Sequence, residues 1–467
     1  MDIFVEHFGT QKADGSYEIS SSQLSLMTSV INIGELLGSL TAAPLNDYLG
    51  RKGVFLIASI AIIIGVILQL VTDHNTSYIM GGRIILGYGV GNFSATSPLY
   101  IGLFVASFLC AGSLLFPFHK LLPPRSIVVP KEINSTVAYR VPMGIQVVFP
   151  VIVLAGLWWV PESPRWLLRK GKKESARKAL VLVHRGEQYT PDEDLSVLQQ
   201  DIDDESLKAA ESSWMDLVRD PIERRKVVYS AGALIAQQIN GIQWFYYFGT
   251  VFSKAIGLQD PFLMTLIVFI IQVVVVFVAV LFANSLPRRP LLLITTGLMT
   301  VSIFVVGCLG IPGNTPSPTI GKVIFAFIII EITAFNFAWG PLGWTIASEM
   351  AVGRNRNKIY AISVGCFWIT VWATVFTLPY LYYNANLGPK TGFVYTGLCF
   401  VSLSYVYFCV GEVTGRTMEE INGFFADGIP AKQWQHQPSL AERAANTHVK
   451  GDDEEKSAGS MQVEKGL

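Results

Sequence analysis

Long apolar stretches recur along the whole chain and are separated by short polar turns. Each stretch is close to the ~20 residues that a helix with a rise of about 1.5 Å per residue needs to cross the hydrocarbon core of a bilayer. The pattern therefore predicts eleven membrane-spanning helices. They lie near residues 24–45, 53–72, 79–99, 100–118, 141–160, 227–252, 262–284, 290–311, 319–347, 358–380 and 391–411.

The composition is that of a membrane protein. Hydrophobic residues make up 51% of the chain and charged residues 15%, and the mean hydropathy is +0.43. A soluble domain has about 25% charged residues. The net charge is zero, so no basic surface calls for nucleic acid. The sequence contains no metal-ligand set, phosphate-binding glycine loop or nucleophile–base pair. We therefore expect an all-α protein of the lipid bilayer that is not an enzyme and uses no cofactor or metal ion.

The distribution of basic residues predicts the orientation. Arg51 and Lys52, Arg288 and Arg289, and the basic residues at 354–358 fall on one side of the membrane, and the loops between them carry almost none. The positive-inside rule places that side in the cytoplasm.

This orientation divides the chain into four parts. We expect disorder from about residue 430, where the sequence is polar and charged with no apolar face. The parts are an N-terminal membrane bundle at 1–160, a cytoplasmic loop with short helices at 161–226, a C-terminal bundle of six helices at 227–411 and a cytoplasmic tail at 412–467.

Six motifs are distributed in a fixed order along the chain. They are PLNDYLGRK at 44–52, GGRIILGYGVGNFSATSPLY at 81–100, PESPRWLLRKG at 161–171, QQINGIQWFYY at 237–247, FAWGPLGWTIASEMAVGRNR at 337–356 and GEVTGRTMEEI at 411–421. In this order and spacing they resemble the sugar porter family of the major facilitator superfamily, most closely its fungal hexose transporters. The resemblance covers residues 1–100 and 134–425.

The resemblance carries expectations for fold and function. It implies two helical bundles with the substrate held near the membrane midplane between them. It further implies transport of a hexose-like sugar by alternating access, symport of a proton, and a multi-pass protein of the plasma membrane.

Buried amides are the candidate sugar-binding groups. Gln237, Asn240 and Trp244 would share one face of a helix, with Gln238 beside it. An amide both donates and accepts hydrogen bonds, as a sugar hydroxyl does. Such amides also join membrane helices to each other, which is the alternative reading for any single glutamine. The resemblance assigns sugar contacts to the following positions: Gln237, Gln238, Gln243, Gln272 and the aromatic Trp344, with Asn336 as a further candidate.

Charged residues at the predicted cytoplasmic helix ends form short-range acid–base sets. The sequence pairs Asp47 with Arg51, Glu162 with Arg165, and Glu349 with Arg356. Positive-inside placement explains the basic residues but not the acids repeatedly set beside them. In the family such groups hold the two bundles together at the cytoplasmic gate. The last motif adds two gate candidates, Glu412 and Arg416.

Arg83 lies within a predicted span, where a charge indicates a functional site. In proton-coupled members the matching Arg neighbours an Asp of the first helix and influences its protonation. This chain begins at the stretch that follows that helix, so we expect eleven spans rather than twelve and no such partner for Arg83. Residues 101–133 also depart from the family pattern, with Leu103 in place of an acid.

These departures leave three readings open. The chain is a sugar transporter, a sugar sensor that does not transport, or an inactive, truncated remnant of a transporter. Uptake of labelled sugar separates the first reading from the others, and binding without uptake would favour the sensor.

Overall fold

The computed structural model describes residues 8–11, 17–71, 75–104, 137–183, 191–210, 213–246, 261–282, 286–311 and 318–438. Within these ranges the apolar stretches are helical, as predicted. The strands β1 (Thr10–Gln11) and β2 (Tyr17–Glu18) form a two-residue antiparallel ladder. Helices make up nearly all the rest, so the all-α class is confirmed. The predicted span at 100–118 lies outside the described residues from position 105, as does most of the aberrant segment 101–133.

The helices fall into three consecutive groups. The first group consists of α1 (Ser21–Leu70), α2 (Thr76–Phe104), α3 (Val137–Ile145) and α4 (Val148–Gly156). The hydrophilic segment contains α5 (Pro164–Arg169), α6 (Lys173–Val183), α7 (Pro191–Ala210) and α8 (Asp216–Arg219). The second half contains α9 (Pro221–Ile239), a turn at 242–246, α10 (Pro261–Phe282), α11 (Arg288–Leu309), α12 (Pro318–Ala334), a π-helical segment Phe335–Trp339, α13 (Gly340–Met350), α14 (Arg356–Pro379), a π-helical segment Tyr380–Asn384, a 3₁₀ turn Gly388–Lys390, α15 (Thr391–Cys409), α16 (Met418–Ala426) and a 3₁₀ helix Ala431–His436.

Several of these stretches are long and apolar enough to cross a membrane. Five helices among the described residues meet both conditions, and two further apolar helices are shorter. The five are Ser21–Leu70, Arg288–Leu309, Thr319–Met350, Arg356–Asn384 and Gly388–Cys409, and the shorter two are Met143–Gly156 and Leu266–Phe282.

The long segment α1 contains two of the predicted spans. Its backbone leaves helical geometry at Gly50, where φ is 80° and ψ is 173°. A glycine adopts this conformation without strain. The two spans at 24–45 and 53–72 are therefore two helices joined by a tight turn, as the sequence predicts.

The two halves have separate apolar cores. In the first half the backbones of α1 and α2 approach closely, because a Cβ on Gly34 would meet the Ile84 carbonyl carbon at 2.9 Å. Small residues allow such approach between membrane helices. The second half packs around the fully buried rings of Trp339 and Trp368. Leu36 of α1 packs against this second core, so α1 connects the two halves.

The start of the tail differs from the prediction. We expected disorder from about residue 430, but Ala431–His436 forms a 3₁₀ helix and the Trp434 ring is fully buried. This ring packs edge-on against Phe425, at 5.3 Å between centroids, and lies close to Tyr229. A single large aromatic side chain therefore orders a segment whose average composition is polar. Residues 439–467 lie outside the described part of the chain.

Candidate functional site

The QQINGIQWFYY motif does not form one continuous helix. Helix α9 ends at Ile239, and Gly241, with φ at 95°, turns the chain into the separate helical turn 242–246. The predicted span 227–252 is therefore broken, and the single face expected for Gln237, Asn240 and Trp244 is interrupted. The reason is local, because a positive φ cannot continue a right-handed helix.

Three glutamines form a row of hydrogen bonds across this break. The side-chain amide of Gln243 donates to Gln238 Oε1, and that of Gln238 donates to Gln237 Oε1 at 3.4 Å. Gln237 Nε2 in turn donates to the carbonyls of Trp339 and Gly340, at 2.6 and 3.2 Å. All three glutamines are buried. The row thus links α9 to the junction between the π-helical segment and α13.

This junction is shaped to receive Gln237. π-Helical turns are rare and are frequent at functional sites. In the first turn of α13, a Cβ built on Gly343 would lie only 2.9 Å from the amide carbon of Gln237. No real Cβ makes such a contact, so the absence of a side chain at Gly343 creates the space for the glutamine.

The remaining predicted sugar-site residues are not part of this row, and each has its own contacts. Asn336, in the π-helical segment, accepts from the Tyr246 hydroxyl at 3.2 Å and is thereby joined to the turn 242–246. Trp344 is partly buried and its ring lies 4.7 Å from that of Phe367. Gln272 is buried on α10, which packs against the π-helical segment, but no described contact joins it to the three glutamines.

Several buried amide atoms in this region have no hydrogen-bond partner within the described ranges. They are Gln243 Oε1, Asn240 Nδ2 and Gln272 Nε2. A buried polar atom without a partner is rare in proteins. One acceptor and two donors are therefore free for a ligand that both donates and accepts, such as a polyhydroxylated molecule.

Carboxylates in the first half of the chain hold helix ends together, but not in the predicted pairs. The ion pair of Asp47 is with Arg169, at 3.7 Å. Glu162 accepts from the backbone N–H groups of Arg51 and Lys52, at 3.0 and 3.1 Å. The pairing of Asp47 with Arg51 was therefore incomplete, although the Arg51 guanidinium remains within electrostatic range of both acids. The predicted partner of Glu162, Arg165, is partly buried at the start of α5.

In the second half a carboxylate likewise accepts from two consecutive backbone N–H groups. Glu412 accepts from the backbone N–H groups of Arg288 and Arg289, at 3.2 and 3.1 Å, where α11 begins. Glu349 forms its ion pair with the Arg288 side chain, so the predicted pair with Arg356 is wrong.

The reason is geometric. Arg356 is exposed in the first turn of α14, whereas Arg288 reaches the end of α13 from a neighbouring helix. Arg416 pairs with Glu420 at 3.8 Å and donates to the Trp434 carbonyl.

Comparison with known proteins identifies the family. The profile of the sugar (and other) transporter family matches residues 1–104 and 126–425. The chain belongs to this transporter family. The unmatched residues, 105–125, fall inside the segment 101–133 that departs from the sequence pattern. Members of the family are integral membrane proteins that cross the bilayer several times, and the curated relatives are transporters and not enzymes.

Individual relatives match most of this chain. The low-affinity glucose transporter HXT4 of Saccharomyces cerevisiae (strain JAY291) is 29% identical over 446 residues, covering 91% of this chain and 76% of that protein. The major facilitator-type transporter ecdD of Aspergillus rugulosus is also 29% identical, over 454 residues, with 91% and 83% covered.

Solved structures show the same fold. The proton:xylose symporter XylE bound to 6-bromo-6-deoxy-D-glucose superposes with a TM-score of 0.69 at 20% identity, over 86% of this chain and 89% of that one. The inward-open xylose transporter XylE from E. coli gives 0.68 at 22% identity, with 91% and 94% covered. The major facilitator fold is therefore confirmed.

The expectation that Arg83 has no partner on the first described helix needs correction. Its guanidinium donates a hydrogen bond to the backbone carbonyl of Met27 on α1. A backbone carbonyl carries no net charge, so this contact satisfies a donor without neutralising the cation.

Two charged partners and one neutral partner are not predicted by the sequence. Arg169 and Arg288 complete the ion pairs of Asp47 and Glu349. Both lie in or near the quoted motifs, and the recurrence of a basic loop in each half could have indicated Arg288. Tyr246 binds Asn336, but the two residues are 90 positions apart and no local pattern connects them.

Proposed function

We propose that this protein transports a hexose-like sugar across the plasma membrane by alternating access, coupled to a proton. The observation that carries the proposal is the buried row of glutamines with unpartnered amide atoms beside it, between the break in α9 and the π-helical segment. The names of the relatives support the choice of substrate, because HXT4 is a glucose transporter and a Kluyveromyces lactis relative, 26% identical, is named hexose transporter 2.

The sugar site in this proposal is built from both sides of the α9–α13 junction. Gln237 and Gln238 supply the central hydrogen bonds, and Trp344 offers an apolar surface to the C–H face of a pyranose ring. The free atoms of Gln243 and Gln272 complete the donors and acceptors, with Asn336 held in place by Tyr246. A sugar entering here would replace amide–amide contacts by amide–hydroxyl contacts of similar strength.

The charged network is proposed as the cytoplasmic gate. Its acids and bases lie at the helix ends that join the two proposed bundles, 1–160 and 227–411, to the loop 161–226 and the tail 412–467. Rearrangement of the ion pairs Asp47–Arg169 and Glu349–Arg288 would accompany opening. For proton coupling we propose Arg83 as a participant, since an intramembrane cation influences the protonation of any acid near it.

The test is uptake of labelled glucose in cells that lack their own hexose carriers. We expect saturable uptake that a protonophore collapses. Replacing Gln237 or Gln238 by Ala should raise KM by about tenfold or abolish uptake, because each change removes hydrogen bonds worth about 1–3 kcal/mol in a buried site. Gln69→Ala is the matched control, since Gln69 is a buried glutamine of α1 whose side-chain amide donates to the Gly65 carbonyl one turn away.

The outcomes separate the alternative readings. Uptake with unchanged kinetics in both glutamine variants would remove them from the sugar site. Sugar binding to the purified protein without uptake would identify a sensor. A chain that reaches the membrane and neither binds nor transports sugar would be an inactive remnant.

A further inference from the structure

Glu331 is a fully buried acid that the proposed sugar site and gate do not use. It lies near the end of α12, its exposed fraction is 0%, and neither carboxyl oxygen has a hydrogen-bond partner in the described part of the chain. Burying an ionisable side chain inside a membrane helix costs free energy, so such a residue indicates a functional site. An unpaired charge in such a place favours the neutral form, which for a carboxyl group means that a proton is bound.

The surroundings of Glu331 lead directly to the proposed sugar site. Glu331 lies five positions before Asn336 on the helix that runs into the π-helical segment, and its carboxyl group is within electrostatic range of Tyr246 and of Cys399 of α15. The Tyr246 hydroxyl donates to Asn336 Oδ1, and the Cys399 thiol donates to the carbonyl of Asn240, at 3.3 Å. Through Tyr246 and Cys399, the three segments that carry the amides are thus linked to one buried acid.

Among the described residues, the helices α10 and α11 that pack against α12 offer no cation to compensate this acid. Helix α10 contains no titratable residue in its sequence. On α11 the two arginines are engaged at the first turn, Arg288 with Glu349 and Arg289 with the carbonyl of Tyr407. The remaining titratable group of α11 is Cys308, near the other end of that helix. Tyr246 and Cys399, which are within electrostatic range of Glu331, are both neutral at ordinary pH.

We propose that Glu331 is a proton-binding site of the second half, and that its occupancy is coupled to sugar binding through Tyr246 and Asn336. With the proton bound, the tyrosine hydroxyl donates to Asn336 and holds that amide in place. When the proton leaves, the carboxylate is the stronger acceptor and competes for the same hydroxyl hydrogen, which releases Asn336. Proton and sugar then each increase the affinity for the other, because linkage between two sites is reciprocal. This inference rests on the proposed sugar-transport function.

The test compares the full chain with Glu331→Gln and Glu35→Gln. Glutamine is a neutral isostere of the protonated acid, and Glu35 on α1 is a matched control because it is also a nearly fully buried acid. Infrared difference spectroscopy of the purified proteins follows the C=O stretch of a protonated carboxyl group. We expect this band at neutral pH in the parent chain and in Glu35→Gln, and its loss in Glu331→Gln. Glu331→Asp should shift the band, which assigns it even if the glutamine variant fails to fold.

Coupling is measured as glucose affinity and exchange in proteoliposomes over a range of pH. In the parent chain we expect affinity to weaken by about fivefold or more as the pH rises, the lower range of ordinary coupling between sites. Glu331→Gln should retain exchange and lose this pH dependence. A band that persists in Glu331→Gln, or pH dependence that only Glu35→Gln abolishes, would overturn the assignment.

Failure of the two proposals can be told apart. If no variant binds or exchanges glucose, the proposed function and the coupling fail together, and the infrared band alone decides whether Glu331 holds a proton. If exchange is normal and the band is absent from the parent chain, the sugar-transport proposal stands and Glu331 is not a proton site.

Discussion

At the scale of single residues, the site depends on one close approach as much as on hydrogen-bonding groups. The Gln237 amide reaches the carbonyls of Trp339 and Gly340 only because position 343 has no side chain. The glutamine supplies the hydrogen bonds, but it fits only because the facing residue, Gly343, has no side chain. The proposed sugar site is therefore sensitive to a residue that need not touch the sugar.

We predict that Gly343→Ala impairs transport as strongly as Gln237→Ala. The added methyl group would lie 2.9 Å from the amide carbon of Gln237 and must displace it. Kinetics of labelled glucose uptake should show a KM raised by about tenfold, equivalent to roughly 1.4 kcal/mol. Gly397→Ala on α15 is the control, since a Cβ there meets no atom within 4 Å. Equal kinetics for both alanine variants would show that Gln237 moves aside freely.

At the scale of elements, the two halves use the same device to start a helix. A carboxylate from a distant motif, Glu162 or Glu412, accepts from two consecutive backbone N–H groups at the first turn. The first N–H groups of a helix have no partner within it, and the helix dipole favours a negative charge there. Each acid therefore ties its loop to a helix that lies more than 100 residues away in sequence.

We predict that Glu162→Gln and Glu412→Gln each lower the free energy of unfolding by about 1.5–3 kcal/mol, the range for hydrogen bonds to charged groups. An amide can accept through one oxygen, so part of the contact is lost together with the charge. Thermal unfolding of the purified variants measures the change. The exposed Glu419 provides the control Glu419→Gln, which should leave the Tm unchanged. A loss of similar size in the control would point to general charge effects.

At the scale of the whole molecule, α1 and α14 form a contact between the two halves. A Cβ on Gly365 of α14 would lie 3.8 Å from Leu40 Cδ2 of α1, which is ordinary van der Waals distance. The proposed alternating access requires the two halves to move relative to each other. A contact between them is therefore made in one conformation and altered in the other.

We predict that Gly365→Trp blocks uptake while sugar binding to the purified protein persists. An indole is too large for the space beside Leu40, so it holds the halves apart and favours one conformation. Gly365→Ala is the matched control and should transport normally, because its methyl group fits at 3.8 Å. Counterflow measured beside equilibrium binding distinguishes the block from misfolding. Normal uptake by the Trp variant would show that this boundary is not compressed during the cycle.

The sequence by itself determined the fold class and most helix positions, and it suggested the residue types of the proposed site. Apolar length specifies a membrane helix, since the bilayer requires about 20 residues per span, and this information is local. The motifs likewise identified the family, and they suggested Gln237, Gln238 and Asn336 as sugar-site candidates before any packing was known.

Only the tertiary structure decided the partners. Glu349 pairs with Arg288 and not with the nearby Arg356, Asn336 binds Tyr246 from 90 positions away, and Trp434 orders the start of a polar tail. The break at Gly241 also became visible only with the backbone in place. The physical reason is that hydrogen bonds and ion pairs act over a few ångströms, and which groups come that close depends on how the helices pack.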